Sequence, residues 1–266
     1  MADQGAVQTV DIDPEYFQDT DSTRGSVEDE LSSFTASVTS SVTNYPMQHG
    51  RRYHAYKDGS YIMPNDEQEQ DRLDMAHAMA TKLIGDKLYL APLPNNFSGK
   101  ILDAGCGTGV WAINMGDKFP NAEVPPNVKF EVDDIEGEWG YGEKFDYIFA
   151  RYLCAAIQDW PKLMRQAYQN VKPGGWVEFQ DYDTMLYSED GSFGEKHDTY
   201  KWITTFIEAS TAWGRDPSPG KHLEERAKAA GFVNVFVAKV RKELKDKSIH
   251  MLYDYHVVWA QRPKDE

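Results

Sequence analysis

The stretch Ile101-Leu102-Asp103-Ala104-Gly105-Cys106-Gly107-Thr108-Gly109 runs from a short apolar segment through an acid into three alternating glycines. A segment of helical periodicity begins at the next residue. Glycine tolerates positive φ and lets a ligand approach the backbone with no Cβ in the way. The start of a helix offers free N–H groups and a partial positive charge, which suit a carboxylate or a phosphate. The pattern therefore predicts a strand, a ligand-binding turn and a helix.

The acid in this stretch narrows the kind of ligand. Asp103 places a negative charge beside the turn, which suits a ligand that also carries an ammonium group. An amino-acid moiety has both charges, so S-adenosylmethionine fits better than a pyrophosphate. The dinucleotide fingerprint G-x-G-x-x-G requires glycine at position 110, where this chain has Val110. A tight turn that binds no ligand is the remaining alternative.

The segments around the turn alternate between short apolar runs and longer runs of helical periodicity. Strands are predicted over 100–104, 128–132, 147–150, 176–179, 232–236 and 251–260. A first helix is predicted after the turn and acidic first-turn residues at 64–67, with an apolar face over 73–83 and its end near Gly85. Further helices are predicted over 110–118, 161–171, 196–213 and 221–230, with a turn at 173–175. This alternation predicts an α/β fold with a mostly parallel sheet and helices on both faces.

Composition divides the chain into a tail and a domain. Residues 1–45 are rich in Ser, Thr, Asp and Glu and poor in large apolar side chains, which predicts a disordered tail. Leu31, Phe34 and Val38 fall at helical spacing, so a short amphipathic helix within the tail is an alternative. Residues 46–266 contain the periodic segments and predict one folded domain.

Charge and cysteine content restrict the partners. The formal net charge of −15 argues against a general nucleic-acid binder, because phosphate contacts need clustered Lys and Arg. Cys106 and Cys154 show neither a disulfide framework nor a metal-ligand spacing. No apolar run approaches a membrane span, and the N-terminus has no secretory pattern. We therefore expect no metal, nucleic-acid or membrane partner, and a reducing location in the cytoplasm or nucleus.

Further segments stand out beside the glycine turn: Gly50-Arg51-Arg52-Tyr53-His54-Ala55-Tyr56, Tyr61-Ile62-Met63-Pro64-Asn65-Asp66-Glu67, Trp111-Ala112-Ile113, Asp133-Asp134, Phe145–Arg151, Asp159-Trp160 and Lys172-Pro173-Gly174-Gly175-Trp176. Residues 101–109 resemble motif I of class I methyltransferases. With the other segments, the chain from about residue 45 to the C-terminus resembles the fungal LaeA-like methyltransferases, which are associated with control of secondary metabolism and development. The resemblance implies a Rossmann-like class I fold and S-adenosyl-L-methionine as cofactor.

The same resemblance implies which residues hold the cofactor, while it assigns no catalytic residue. It also implies that the N-terminal segment, residues 46–95, covers the cofactor site. The implied cofactor contacts are Tyr53, Tyr61, Asp103, Ala104, Gly105, Cys106, Gly107, Gly109, Asp133, Asp134, Ile135 and Arg151.

Structural roles are the alternatives for several polar and aromatic residues. Tyr53 and Tyr61 also fit ordinary packing against the sheet, since tyrosine rings bury readily. Arg151 binds a carboxylate of the cofactor or substrate, or pairs with an acid such as Asp159. A lone histidine is more often structural than catalytic. His54 and His77 are accordingly interpreted as structural histidines. Glu178 and Asp181 are expected at a solvent-facing strand end, and Trp202 and Trp213 in the core or a lid.

Two stretches are shorter than the resemblance predicts. In class I methyltransferases the second strand ends in an acid that binds both ribose hydroxyls, and here 121–126 leads directly into the next apolar run. Either Asp133 and Asp134 are the acids after the third strand, which contact the adenine amino group, or 128–132 replaces the second strand and Asp133 becomes the ribose acid. One strand–helix unit is then lacking. The second shortening, near Val237, removes a helical insertion and leaves the substrate pocket open.

These features favour an S-adenosylmethionine-dependent methyltransferase whose acceptor is a small metabolite or a protein. The resemblance adds a link to regulation of fungal secondary metabolism. A catalytically weak or inactive methyltransferase-like protein that binds a regulatory protein partner is the alternative, because both shortenings affect functional parts of the fold. A nicotinamide oxidoreductase has only the shared sheet type in its favour.

Overall fold

The computed structural model describes residues 44–57, 61–120, 127–243 and 249–265. The tail predictions, including the helix near Leu31, lie outside these residues. Ahead of the main sheet come a small hairpin and a helix: β1 Met47–Gln48, β2 Arg51–Arg52 and α1 Glu67–Leu83. The main sheet and its helices follow: β3 Ile101–Asp103, α2 Val110–Lys118, β4 Phe145–Arg151, α3 Trp160–Asn170, β5 Val171–Tyr182, α4 Asp198–Ala212, α5 Leu223–Ala229 after a 3-10 turn at Gly220–His222, β6 Val233–Glu243 and β7 Leu252–Gln261.

The main sheet has the strand order β3-β4-β5-β7-β6. β4 lies parallel to both β3 and β5, while β7 pairs antiparallel with β5 and β6. Within the described main sheet, β7 alone therefore runs opposite to the other strands. The prediction of a mostly parallel, Rossmann-like sheet is confirmed. Because β3, β4 and β5 are parallel, their carboxyl ends meet at one edge, where ligands bind in folds of this type.

Alternation along β4 builds a three-layer structure. Ile148 and Ala150 face one core, which α3 and α5 cover, while Tyr147 and Phe149 face the other. On that second face, the Trp111 ring of α2 stacks on Phe149 with 3.8 Å between ring centroids. Each large apolar side chain buried in this way contributes about 1.5–3 kcal/mol. The layers explain why β4 is apolar throughout: both of its faces are covered.

The segment 173–175 is part of β5, so the predicted turn there is wrong. The register with β4 jumps from the pair Phe145–Val171 to the pair Tyr147–Trp176, which makes room for the extra residues as a bulge. Gly174 occupies φ +77° and donates its N–H to the carbonyl of Arg262 at 2.9 Å. The strand continues through Pro-Gly-Gly because the bulge absorbs the residues that cannot join the ladder.

The predicted strand at 128–132 is also wrong. These residues are described but pair with no strand, and no strand occurs anywhere in 127–144. Asn127 instead donates its side-chain amide to the carbonyl of Gly116 in α2 at 2.9 Å. The Phe130 side chain is 54% exposed. Since 128–132 does not supply a second strand, β3 is the edge of the described sheet.

Candidate functional site

Three glycines give the turn between β3 and α2 its shape. Gly105, Gly107 and Gly109 have φ values of +83°, +58° and +79°. In this left-handed region a residue with a Cβ costs about 1–2 kcal/mol. The Gly109 N–H closes the turn on the Cys106 carbonyl at 2.9 Å, and Val110 begins the helix. The predicted strand–turn–helix is therefore present.

Two of these glycines leave the backbone accessible. Gly105 and Gly107 are exposed, while Gly109 is buried. A Cβ added at Gly105 would lie 3.2 Å from Leu153 and 3.8 Å from Ile135, and one at Gly107 would lie 3.4 Å from Leu73. A ligand can thus reach the backbone between these side chains. Gly109 differs, because a Cβ there would overlap the ring of Phe130.

Asp103 ends β3 directly before the turn. Its Oδ2 atom is buried and has no hydrogen-bond partner among the described residues. Burial raises the pKa of Asp103 to about 7, although the positive charge of Arg151 opposes the increase. A buried carboxylate oxygen without a partner is costly, so this atom is suited to accept a hydrogen bond from a cationic ligand.

Arg151 ends β4, the parallel neighbour of β3. Its Nη2 atom lies 2.7 Å from Nδ1 of His77, and its Nη1 atom is buried without a partner among the described residues. The alternative that Arg151 pairs with Asp159 is wrong. Asp159 instead caps α3 by accepting the Lys162 N–H at 2.8 Å. The strand ends therefore bring one anion and one cation, each with an unsatisfied atom, to the glycine turn.

This arrangement fits the amino-acid end of S-adenosylmethionine. An ammonium group complements Asp103 Oδ2, and a carboxylate complements Arg151 Nη1 and the free N–H groups at the start of α2. Ala104 is 2% exposed and pairs its N–H with the Phe149 carbonyl at 2.8 Å, so it shapes the turn through its backbone.

The predicted acidic segment after 128–132 is only partly brought to this site. The Ile135 side chain lies beside Gly105. Asp134 pairs with Lys57 at 2.5 Å. Partial burial would raise the pKa of Asp134, but the hydrogen bond from Lys57 and the backbone N–H of Glu136 together hold it below its ordinary value. Asp133 is exposed and accepts the Asp134 N–H at 2.7 Å. No described strand holds either acid as the family's ribose acid is held.

The predicted tyrosines make their described contacts within the N-terminal segment. Tyr53 forms an isolated bridge with Pro64. Tyr61 packs edge-on against His54, with 5.5 Å between ring centroids. Burial raises the pKa of the Tyr61 hydroxyl, and the negative charge of Glu69 adds to the increase. Contact of Tyr53 or Tyr61 with the cofactor stays a prediction.

Helix α1 contributes contacts that sequence reasoning missed. Thr108 of the turn donates its hydroxyl to Asp74 at 2.6 Å, and Leu73 lies beside Gly107. His77 is bonded to Arg151 and, at 3.0 Å, to the side-chain amide of Asn114. The sequence feature that could have indicated these contacts is the spacing of residues 73, 74 and 77, which places them on one face of a helix.

Glu178 and Asp181 were predicted at a solvent-facing strand end, and this is wrong. Their side chains are buried, at 0% and 2% exposure. Asp181 accepts the Leu153 N–H at 2.8 Å and so fixes the loop beside Gly105. Burial raises the pKa of Asp181 to about 8. Trp202, predicted in the core or a lid, is 66% exposed on α4.

The two cysteine thiols are poorly suited to act as nucleophiles. Cys106 and Cys154 are free, and burial raises the pKa of each thiol, to about 11 and about 12. Neither is an activated thiolate at neutral pH.

The described residues contain no group of three or more His, Cys, Asp or Glu side chains arranged to hold a metal. Across the described part of the chain, no helix combines the length and apolarity needed to span a membrane.

Comparison with known proteins assigns the class that this fold and site define. Residues 75–237 match a family described as a methyltransferase domain. Methyltransferase pytC of Aspergillus terreus is 42% identical over 218 residues, which cover 76% of this chain and 67% of the relative. Secondary metabolism regulator LAE1 of Cochliobolus heterostrophus is 34% identical over 222 residues, covering 77% and 72%. Protein-methionine methyltransferase laeA of Emericella nidulans is 37% identical over 161 residues, covering 54% and 42%.

The chain therefore belongs to the methyltransferase domain family. The predicted resemblance to LaeA-like proteins is confirmed by the relatives that carry that name. The predicted enzyme class, an S-adenosylmethionine-dependent methyltransferase, is confirmed with it.

Proposed function

We propose that this protein transfers a methyl group from S-adenosylmethionine to a nucleophilic acceptor, and that Asp103 and Arg151 hold the methionine end of the donor. The supporting observation is the pair of buried, unsatisfied atoms of opposite charge, Asp103 Oδ2 and Arg151 Nη1, beside the exposed Gly105 and Gly107. A zwitterionic ligand satisfies both atoms at once.

The residues of the site position the donor and limit water access. When bound, the cofactor supplies a methyl group that its positive sulfonium has already activated, so transfer depends on alignment and a dry site. The Asp103 carboxylate accepts a hydrogen bond from the ammonium group, and Arg151 donates to the carboxylate. The apolar side chains of Ile135 and Leu153 flank the exposed Gly105, so a donor bound at the turn displaces water from between them.

The acceptor is a small molecule or a protein, and each is supported by a different observation. A groove of about 460 Å³ lies between α4 and the loop at 216–221, within the size range of small-molecule sites. One of its lining residues, Pro217, accepts a hydrogen bond through its carbonyl from the thiol of Cys154 at 3.0 Å, and Cys154 follows the Leu153 that flanks the turn. The relative from Emericella nidulans is called a protein-methionine methyltransferase, which supports a protein acceptor. The LAE1 relative supports a role in fungal secondary metabolism.

A regulatory, weakly catalytic protein is the second candidate. It is supported by the absence of a strand in the described residues 127–144, so that none of the acids in that segment is held at a strand end as a ribose acid would be. Such a protein would bind S-adenosylmethionine poorly and act through a protein partner.

The test is methyl transfer from labelled S-adenosylmethionine into a fungal extract separated by size. We expect label in either the small-molecule or the protein fraction, which identifies the acceptor class. The matched control is Asp103→Asn combined with Arg151→Met, which removes both charges and should remove the label. Label that is absent with the wild type, or equal with the double variant, would contradict the proposal.

A further inference from the structure

His77 is a buried histidine that joins three elements around the glycine turn. It lies in α1 and is 8% exposed. Its Nδ1 is 2.7 Å from Arg151 Nη2 at the end of β4, and its Nε2 is 3.0 Å from the Asn114 amide in α2. Both ring nitrogens therefore have a polar partner, and the ring has one defined orientation.

The partners define the protonation state of the ring. A guanidinium group only donates hydrogen bonds, so Nδ1 must be the acceptor and the proton resides on Nε2. Nε2 therefore donates to the side-chain amide of Asn114, which must present its oxygen atom to the ring. Burial lowers the pKa of His77, the charge of Arg151 lowers it further, and Asp74 on the same helix opposes them. The groups that face the ring from α1, α2 and β4 thus favour neutral histidine near pH 7.

The hydrogen bond to His77 limits where the Arg151 guanidinium can go. Arg151 is close enough to Asp103 for its charge to act on that carboxyl, yet Nη1 and Oδ2 both lack a partner among the described residues. A guanidinium released from His77 is free to turn toward the Asp103 carboxyl, on which its charge already acts. It would then compete with a zwitterionic ligand for both unsatisfied atoms.

We propose that His77 is a positioning residue for the cofactor's amino-acid end: it holds Arg151 by Nη2 so that Nη1 remains available for a carboxylate and Asp103 for an ammonium group. This inference rests on the proposed function. It assigns His77 no contact with the reacting atoms.

The test compares two amide substitutions of His77. In His77→Asn the amide oxygen replaces Nδ1 and still accepts from Arg151. In His77→Gln the side-chain amide reaches the position of Nε2 near Asn114 and leaves Arg151 unrestrained. Dissociation constants are measured by calorimetry for S-adenosylmethionine, decarboxylated S-adenosylmethionine and 5′-methylthioadenosine. Only the first ligand has a carboxylate for Arg151.

We expect His77→Gln to weaken S-adenosylmethionine binding roughly tenfold or more, the size of one hydrogen bond to a charged group. Decarboxylated S-adenosylmethionine, which keeps the ammonium group, should weaken less, because Arg151 then competes for Asp103. The affinity for 5′-methylthioadenosine, which has neither charged group, should stay unchanged, and His77→Asn should bind all three ligands as the wild type does. His222→Gln, which changes a histidine beside α5, is the matched control and should have no effect. Thermal melting checks that each variant is folded.

A pH series separates positioning from a purely structural role. Protonated His77 cannot accept from Arg151, and its pKa lies below the ordinary 6.5. The wild type should therefore lose affinity relative to His77→Asn as the pH falls below 6.5. The titration of Asp103 is common to both proteins and cancels in the ratio.

Unchanged binding by His77→Gln overturns the inference while the proposed function stands. Equal weakening of all three ligands, or an equal loss in His77→Asn, also overturns it. If the folded wild type binds none of the three ligands, the proposed function fails as well.

Discussion

At the scale of single residues, Asp103 changes charge near neutral pH because one of its oxygens is buried without a partner. An ordinary aspartate stays ionised at pH 7, whereas burial raises the pKa of Asp103 to about 7, so this carboxyl titrates near neutral pH. A ligand that brings an ammonium group requires the ionised form. Binding therefore depends on a proton that the free protein holds below pH 7.

We predict that the affinity for S-adenosylmethionine rises with pH up to about 7 and then levels off. Below the pKa of Asp103 the proton must leave on binding, so affinity changes by up to about tenfold per pH unit. Equilibrium dialysis with labelled cofactor from pH 5.5 to 8 measures this slope. Asp103→Asn, with no proton to release, should retain only the smaller slope that comes from His77. An identical slope in Asp103→Asn would contradict the role of the carboxyl.

We predict that the free energy of unfolding depends strongly on the hydrogen bonds that Glu178 accepts. It is buried in β5 and accepts the N–H groups of Leu90 and Ala91 and the hydroxyl of Tyr147. Glu178→Leu leaves these donors buried and unsatisfied, so we expect a loss of about 3–5 kcal/mol in the free energy of unfolding. Urea denaturation measures it. Glu225→Leu, on the exposed face of α5, should change stability by no more than about 0.5 kcal/mol. Similar values for both variants would refute this assignment.

The sequence predicts some site residues better than others for a physical reason. Gly105, Gly107 and Asp103 belong to one local pattern, and the backbone conformation that the pattern demands is the one observed. Arg151 and His77 are 74 residues apart, and nothing local in either stretch indicates their contact. Its prediction requires knowing how α1 lies on the carboxyl end of β4.

At the scale of elements, the segment 128–132 shows that a local sequence pattern can be insufficient to predict a strand. Its apolar residues predict a strand, but a short apolar run does not indicate which surface buries it. Here it crosses α2, whose Gly116 has no side chain and leaves space for Asn127 and Val128. Helix α2 was predicted with its observed ends because the turn before it and its own periodicity are both local.

We predict that Gly116 and Val128 are energetically coupled. Gly116→Ala alone should give little or no stabilisation: alanine favours a helix by about 1 kcal/mol over glycine, but its Cβ would lie 2.8 Å from Val128. Combined with Val128→Ala, the same change should stabilise the protein relative to Val128→Ala alone. A double-mutant cycle measured by chemical denaturation gives the coupling energy. Additive effects would show that 127–130 does not lie on α2.

At the scale of the whole molecule, parallel strands concentrate the charged groups of the site. Asp103, Arg151 and Asp181 lie at or near the carboxyl ends of β3, β4 and β5, which meet at one edge because these strands are parallel. The fold class and this edge were predicted from alternating segments. Because the described residues 127–144 contain no strand, β3 is the edge strand of the described sheet. This could not be predicted, because two placements of 128–132 were compatible with the sequence.

The measurement that tests the central claim most directly is calorimetric titration of the folded protein with S-adenosylmethionine at pH 7.5. We predict one site per chain with a dissociation constant on the order of micromolar, equivalent to about −8 kcal/mol, and loss of that binding in the variant that combines Asp103→Asn with Arg151→Met. No binding heat at millimolar ligand, from protein shown by cooperative unfolding to be native, would contradict the assignment of the glycine turn as the cofactor site.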